Sequence, residues 1–269
     1  MNFLPNANYH THTIFCDGKD TPEELVREAI SLGCPAIGYS GHSYYTFDDC
    51  CMTPEGTEAY IREIRRLKEV YRDKIQIFLG IEQDIFSVIK NDSYDYVIGS
   101  VHYVPHGKEY HSVDYTREDF IHTMETVYDG DYYAFSEAYY KLMGSVYEVT
   151  KCDIIGHFDL ITKFNEGDCL FSTRDARYRK AADDALERLM EAPAVLEINT
   201  GAMARGYRYT PYPEKRILER WLDAGRPVIL SADCHDKRQL LFAFEDIARD
   251  FPKPEQLLMN LPSMGIKRI

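Results

Sequence analysis

The sequence predicts an α/β fold in which seven parallel strands, covered by helices, close into a barrel, and three observations lead there. Short apolar runs recur seven times along the 269 residues, with helical patterns between them. The runs lack polar alternation, as strands buried on both faces do. Each run ends at, or is followed by, a His, Glu, Asp or Asn. In a closed barrel every strand's C-terminal end opens on one face, so groups distant in sequence converge there; an open doubly wound sheet serves only the ends near its switch point. Polar groups spread over all seven ends therefore favour the barrel.

In chain order, Asn8 to His12 reads as the first strand, with His10 and His12 on one side because side chains alternate with period two. Asp17 follows in a loop turned by Gly18. Thr21-Pro22-Glu23-Glu24 carries a Thr cap, Pro at the first position and acids in the first turn, predicting a helix to Leu32-Gly33. Pro35 to Ser40 is the second strand, ahead of Gly41-His42, and a polar loop precedes an amphipathic helix from Pro54 to Tyr71. Ile75 to Ile81 is the third strand, ending at Glu82, and Tyr96 to Val101 the fourth, ending at His102. Val104 to Asp114 reads as a polar loop, with helices over Thr116–Tyr128 and Asp131–Thr150. Asp153 to Gly156 leads to His157, a helix spans Arg174–Glu191, and Ala194 to Ile198 leads to Asn199. After a helix over Pro213–Ala224, Pro227 to Ser231 leads to Asp233 and His235. Lys237–Asp250 and Pro254–Leu261 read as a covering helix and a tail.

At 45% hydrophobic residues the chain can bury one large core, and with no linker in view a single domain over 1–269 is expected. No run reaches the roughly 18 apolar residues of a membrane span, and no signal-peptide pattern opens the chain, so a soluble cytoplasmic protein is expected. Seven cysteines without a C-x-x-C pair argue for reduced thiols. That makes the glycosylation pattern at Asn91-Asp92-Ser93 moot. A net charge of −13 without a basic run argues against nucleic acid or an anionic membrane as partner. An anionic substrate would then need local positive charge, which bound metal ions supply.

Nine side chains gather at the expected strand ends: His10, His12, Asp17, His42, Glu82, His102, His157, Asp233 and His235. Zinc takes about four ligands, so nine donors suit a cluster of two or three ions. A carboxylate such as Glu82 can bridge two ions, and a water between them is acidified into a hydroxide nucleophile at neutral pH. Nitrogen and oxygen donors suit zinc, manganese and iron alike.

The motifs His10-x-His12 with Asp17, Ser-Gly-His42, Gly-Ile-Glu82, Gly-Ser-Val-His102, Ile-Gly-His157-Phe-Asp and Ser-Ala-Asp233-Cys-His235 resemble, in this order, those of the PHP (polymerase and histidinol phosphatase) family. The resemblance implies a distorted (β/α)7 barrel. It implies one ion on His10, His12, Glu82 and Asp233, a second on Glu82, His102 and His157, and a third on Asp17, His42 and His235. The chain departs from many members at Ser40, where they carry an acidic residue. Narrowed to the stand-alone members, the resemblance implies hydrolysis of L-histidinol phosphate. Lys163 and Arg205 then occupy the places of basic residues that grip phosphate, His42 faces the substrate, and Arg208 is a less favoured substitute for Arg205. Lys in place of Arg at 163 would offer a point charge instead of a bidentate fork.

Asp17, His235 or a water on the ions could be the general acid. The loop with Tyr44, Tyr45, Phe47, Asp48 and Asp49 could receive an imidazole and an ammonium group or serve as lid packing. Cys16 and Cys234 alternate away from the ligands and read as packing residues, and His106, His111 and His122 as solvent-facing. Competing readings are the same machinery on a nucleotide or sugar phosphate, an amidohydrolase, and a non-catalytic metal-binding module. An amidohydrolase would place a lysine where His102 stands, and a non-catalytic module tends to lose ligands that this chain keeps.

Overall fold

The computed structural model describes residues 7–88, 94–258 and 261; the Asn91-Asp92-Ser93 pattern lies outside them. Its curled sheet is built from β1 (Ala36–Tyr39), β2 (Gln76–Asp84), β3 (Tyr96–Ser100), β6 (Ile154–Ile155), β7 (Val195–Asn199), β8 (Val228–Ser231) and β9 (Leu257–Leu258), in that spatial order. Every neighbouring pair is parallel. Between β3 and β6 the chain makes an antiparallel hairpin of β4 (Tyr103–His106) and β5 (Glu109–Ser112), where the sequence suggested a loop. None of the described helices is long and apolar enough to cross a membrane.

Helices α1 (Pro22–Ser31) and α2 (Pro54–Val70) start where Thr21 and Thr53 cap backbone amides, and Glu24 reaches back to the Thr21 amide to complete a capping box. The helix expected over Asp131–Thr150 is two, α3 (Tyr132–Met143) and α4 (Val146–Thr150), separated by Gly144 and Ser145, the glycine packing against the Ala185 backbone of α5 (Ala176–Met190). Lys215–Asp223 (α6) is helical as expected, two residues shorter at its start and one at its end. The covering helix over Lys237–Asp250 is reduced to a 3-10 turn and α7 (Phe244–Arg249), because Ala243 adopts positive φ between them.

The expected first strand, Asn8–His12, forms no continuous ladder. It makes isolated parallel bridges from Asn8 to Ile37 on β1 and from Thr11 to Cys234 beyond β8. Backbone bonds tie it to both neighbours, from the Gly38 and Ser40 amides on one side and with Cys234 on the other, and side chains fill in between: the Asn8 carboxamide bonds His10 at both backbone groups and accepts from the Ala232 amide, and Ser40 Oγ accepts from the Thr11 amide. The seventh sheet member is instead β9, two residues inside the expected tail and too short to show a period.

Alternation along the strands divides the core into two layers. Ile37, Ile77, Leu79, Ile81, Val97, Ile155, Leu196, Ile198 and Leu230 face the helices. Ala36, Phe78, Tyr96, Ile98, Ile154, Val195 and Ile229 face inward and meet Tyr9 and Leu261. The Tyr96 ring lies across β2 and β1, where Cβ atoms on Gly80 or Gly38 would collide with it, and its hydroxyl donates to the carbonyls of Tyr9 and Tyr39. The inner layer thus plugs the N-terminal end of the sheet and leaves the other end for polar groups.

Candidate metal centre

Two inward positions above Phe78 along β2, past Gly80, the same strand face presents Glu82, inside the strand and not at its end as the sequence suggested. The Glu82 carboxylate is fully buried among five imidazoles. Its Oε2 lies 3.2 Å from His10 Nε2, 3.4 Å from His12 Nε2 and 3.0 Å from His42 Nδ1. Its Oε1 lies 2.9 Å from His157 Nε2 and 3.2 Å from His102 Nε2, and accepts from Ser100 Oγ at 2.7 Å. Asp233, held at positive φ, brings Oδ1 to 3.3 Å from His12 Nε2 and 3.7 Å from His10 Nε2. At the outer edge Asp17 lies 3.1 Å from His235 Nε2, 3.4 Å from His12 Nδ1 and 3.7 Å from His42 Nε2. All nine predicted donors therefore meet in one place.

Carboxylates behind the cluster orient the rings. Glu197 Oε1 accepts from His10 Nδ1 at 2.6 Å, which leaves Nε2 as the free lone pair; Asp84 Oδ2 does the same for His102 at 3.0 Å. Glu197 also accepts from the His157 amide at 2.7 Å, from Asn199 Nδ2 at 2.9 Å and from Ser231 Oγ. The sequence reading passed over both acids. Glu197 is signalled as the one charge in the apolar run 194–198, and Asp84 as an acid two residues after Glu82 on the same strand face.

Burial disfavours charge on His10, but Glu197, Glu82 and Asp233 outweigh it and push its imidazole up to about 10. His102 is likewise pushed up to about 10, against burial, by Glu82 and Asp84. Burial raises the Glu82 carboxyl, yet His10, His42 and His102 hold it well below the carboxylate range. Burial and the neighbouring His12 lower His235.

The donor set fits divalent ions. His10 Nε2, His12 Nε2, Glu82 Oε2 and His157 Nδ1 are buried without a hydrogen-bond partner among the described residues, an arrangement that is costly unless something else is bound. Donor atoms within 4.8 Å of one another form four groups: His12, Asp17, His42 and His235; His10, His12 and Asp233; His10, Glu82 and His157; His42, Glu82 and His102. Imidazole and carboxylate donors in threes and fours match zinc, manganese or iron.

The cluster floors a cavity of about 300 Å³ whose wall includes Lys163, Arg205, Tyr45, Asp48, Tyr103 and Asp114. Arg205 Nη2 donates to Asp233 Oδ2 at 3.1 Å, and its Nη1 to the Asp233 carbonyl at 3.0 Å. Lys163 Nζ donates to the Asp114 carbonyl at 2.5 Å and lies 3.3 Å from its carboxylate, a partner the sequence did not suggest. Arg208 is outside the wall: it is buried against Thr162 and over the Tyr212 ring at 4.6 Å. Cys234 is buried and donates to the Asp236 carbonyl, as a packing residue would. Cys16 does not point away, because the turn at 14–17 brings its Sγ to 3.5 Å from His12 Nδ1. His106 and His122 are exposed, whereas His111 is partly buried on the β4–β5 hairpin.

Known proteins resemble this chain. A Schizosaccharomyces pombe protein named "Probable histidinol-phosphatase" is 28% identical over 264 residues, covering 86% of this chain and 81% of its own. The Bacillus subtilis histidinol-phosphatase is 26% identical, covering 88% and 96%. Among solved structures, a Listeria monocytogenes protein assigned as a histidinol phosphatase superposes with a TM-score of 0.77 at 20% identity, over 89% of this chain and 99% of that one. A Lactococcus lactis histidinol phosphate phosphatase, solved with zinc, L-histidinol and phosphate, gives 0.66 at 21% identity, over 95% of each. At such identities the structural likeness establishes the fold. The PHP domain itself matches residues 8–201, most of the sequence and every candidate ligand except Asp233 and His235, which the next strand delivers to the same cluster; the chain belongs to the PHP family.

Proposed function

We propose that this chain is a metal-dependent phosphomonoesterase that hydrolyses L-histidinol phosphate to L-histidinol and phosphate. In this reading residues 1–269 form one PHP-type domain, whose sheet and Asn8–His12 stretch make a distorted (β/α)7 barrel. The observation that carries it is Glu82, one buried carboxylate between five imidazoles, each of which turns one ring nitrogen to it. The substrate is supported by the curated relatives, which are named histidinol-phosphatases, and by the ligands of the L. lactis structure.

His10, His12, Glu82 and Asp233 would hold one ion, Glu82, His102 and His157 a second, and Asp17, His42 and His235 a third. Bound there, two or three divalent ions would acidify a water into a nucleophile at neutral pH and neutralise the phosphoryl oxygens. Glu82 fixes the spacing of the ligand groups through its two oxygens. Arg205 orients Asp233 and, with Lys163 and His42, faces the phosphate from the cavity wall. Asp17, His235 or a water on the ions would supply the proton that the departing alkoxide needs, the two side chains lying 3.1 Å apart at the solvent edge.

The test is phosphate release from L-histidinol phosphate beside sugar phosphates and nucleotides, on protein whose metals are counted by elemental analysis. Two or three ions with selective turnover of L-histidinol phosphate are expected. A full complement with preference for another ester would overturn the substrate, and a metal-free inactive protein the chemistry as well.

A further inference from the structure

The cavity wall is electrically uneven. Three of its carboxylates lie outside the ligand cluster: Asp48, Asp114 and Asp236. Asp114 faces Lys163 at 3.3 Å, and Asp236 faces Arg238 at 2.5 Å and Lys19 at 3.6 Å. Asp48 has no Lys or Arg partner among the described residues; it is held by neutral donors, the Tyr103 hydroxyl on one oxygen at 2.5 Å and the Cys50 amide on the other at 2.7 Å. Burial raises its carboxyl, but the bonds from Tyr103 and Cys50, with the nearby His42, outweigh that and keep it below the usual carboxylate range. The charge is therefore present with no Lys or Arg to neutralise it, and each oxygen retains a lone pair for a further donor.

The same charge is fixed in place. Phe47 packs edge-on against Tyr103 at 4.9 Å and stacks on Tyr110 at 3.9 Å, while Tyr45 meets Tyr103 at 5.6 Å. These rings clamp the loop after His42 onto the β4–β5 hairpin. Neighbouring Asp49 is exposed and outside the wall. A fixed carboxylate among aromatic faces is a recognition site for an organic cation.

We infer that Asp48 is a specificity-determining residue that binds the ammonium group of the substrate, so that the enzyme selects phosphate monoesters of cationic amino alcohols over neutral ones. This rests on the functional reading above and sharpens it. The ion cluster and Arg205 form a pole for phosphate, Asp48 a second pole on the same cavity wall for the cation, and a sugar phosphate satisfies only the first.

The test compares kcat/KM of the metal-loaded enzyme for L-histidinol phosphate and for its desamino analogue, which keeps the phosphate and the imidazole. A charge-assisted hydrogen bond predicts a wild-type preference of about tenfold or more, and Asp48→Asn should bring that ratio close to one. A wild-type ratio near one, or an unchanged ratio in Asp48→Asn, overturns the assignment. Should Asp48→Asn fail to fold, product inhibition of the wild type by L-histidinol and by desamino-histidinol decides, because equal inhibition by the two overturns it. If the wild type turns over other esters but not L-histidinol phosphate, the functional reading itself has failed, and this inference with it.

Discussion

Along the inner face of one sheet the same strands change character within four residues. Phe78 and Glu82 lie on one face of β2, Tyr96 and Ser100 on one face of β3, Val195 and Asn199 on one face of β7, and Ile229 is followed inward by Ser231 and Asp233. The N-terminal end is an apolar plug in which Tyr9 meets Phe78 edge-on at 5.6 Å and Tyr96 at 6.0 Å. The C-terminal end gathers nine ionisable side chains, several with buried atoms that no hydrogen bond satisfies among the described residues. The plug stabilises the fold by burial. The cluster costs stability until ions occupy it, since buried charge is tolerated only when paired. Stability and chemistry are thus separated along the strand axis, and the two ends should respond to different perturbations.

The largest effect expected is at the cluster. Asp233→Ala should abolish hydrolysis and lower the metal count by elemental analysis, because Asp233 meets two imidazoles and Arg205 there. Stripping the wild type with a chelator should do the same reversibly, and lower the melting temperature by roughly 10 °C relative to protein with ions at about a thousandfold over Kd. An unchanged melt after stripping would mean that the cluster carries no cost.

The stripped protein should also acquire a pH dependence that the loaded protein lacks. His10 and His102 are pushed up from 6.5 to about 10 by buried carboxylates, so each contributes stability that is fully present below pH 6.5 and is lost as pH rises through 10. Glu82, Glu197 and Asp233 are held low, so their contribution is present above the ordinary carboxylate range and is lost as pH falls below it. Stripped protein should therefore melt highest between about pH 4.5 and 6.5 and lose stability as the pH rises toward 10. A flat melting profile across that alkaline limb would contradict the ion pairing described here.

At the other end, Phe78→Ala should cost about 3–5 kcal/mol in denaturant unfolding, as for a ring removed from a packed core. The folded fraction should keep its ions and its kcat. Loss of metal in proportion to loss of stability would show that the two ends are one cooperative unit and not two.

Which parts were legible in the sequence follows the same division. Most of the ligands were readable because they stand just after an apolar run, and a parallel sheet sends all such ends to one side. The helix starts at Thr21 and Thr53 were readable from local capping chemistry. Three features were not. Asn8–His12 looks like a strand, but its bridges are isolated and the Asn8 and Ser40 side chains fill the gaps between them, an arrangement visible only in three dimensions. The two-residue β9 has no period to detect. Lys163 reads as a cation for phosphate and Arg208 as a substitute for Arg205, yet Lys163 is also tied to Asp114 and Arg208 is buried against Thr162, pairings between segments tens of residues apart.

Glu197 sits where the two ends meet, between Val195 of the plug and Asn199 on the same inward face of β7. It is not itself a donor of any candidate ion group, but it accepts from His10 Nδ1 and from the His157 amide, and so sets which nitrogen of His10 is free. Glu197→Gln keeps the shape and removes the charge, and its amide can donate where the carboxylate only accepted. The Nδ1–H of His10 would then lose its preferred acceptor. Metal affinity measured by competition with a chelator should fall about ten- to a hundredfold, the range for loss of an orienting carboxylate, with kcat at saturating metal changed far less. The stripped variant should also lose part of the alkaline stability drop, because the leading electrostatic contribution to the raised His10 is gone. A variant that binds metal as tightly as wild type would place Glu197 with the plug, as a buried acid satisfied by Asn199 and Ser231.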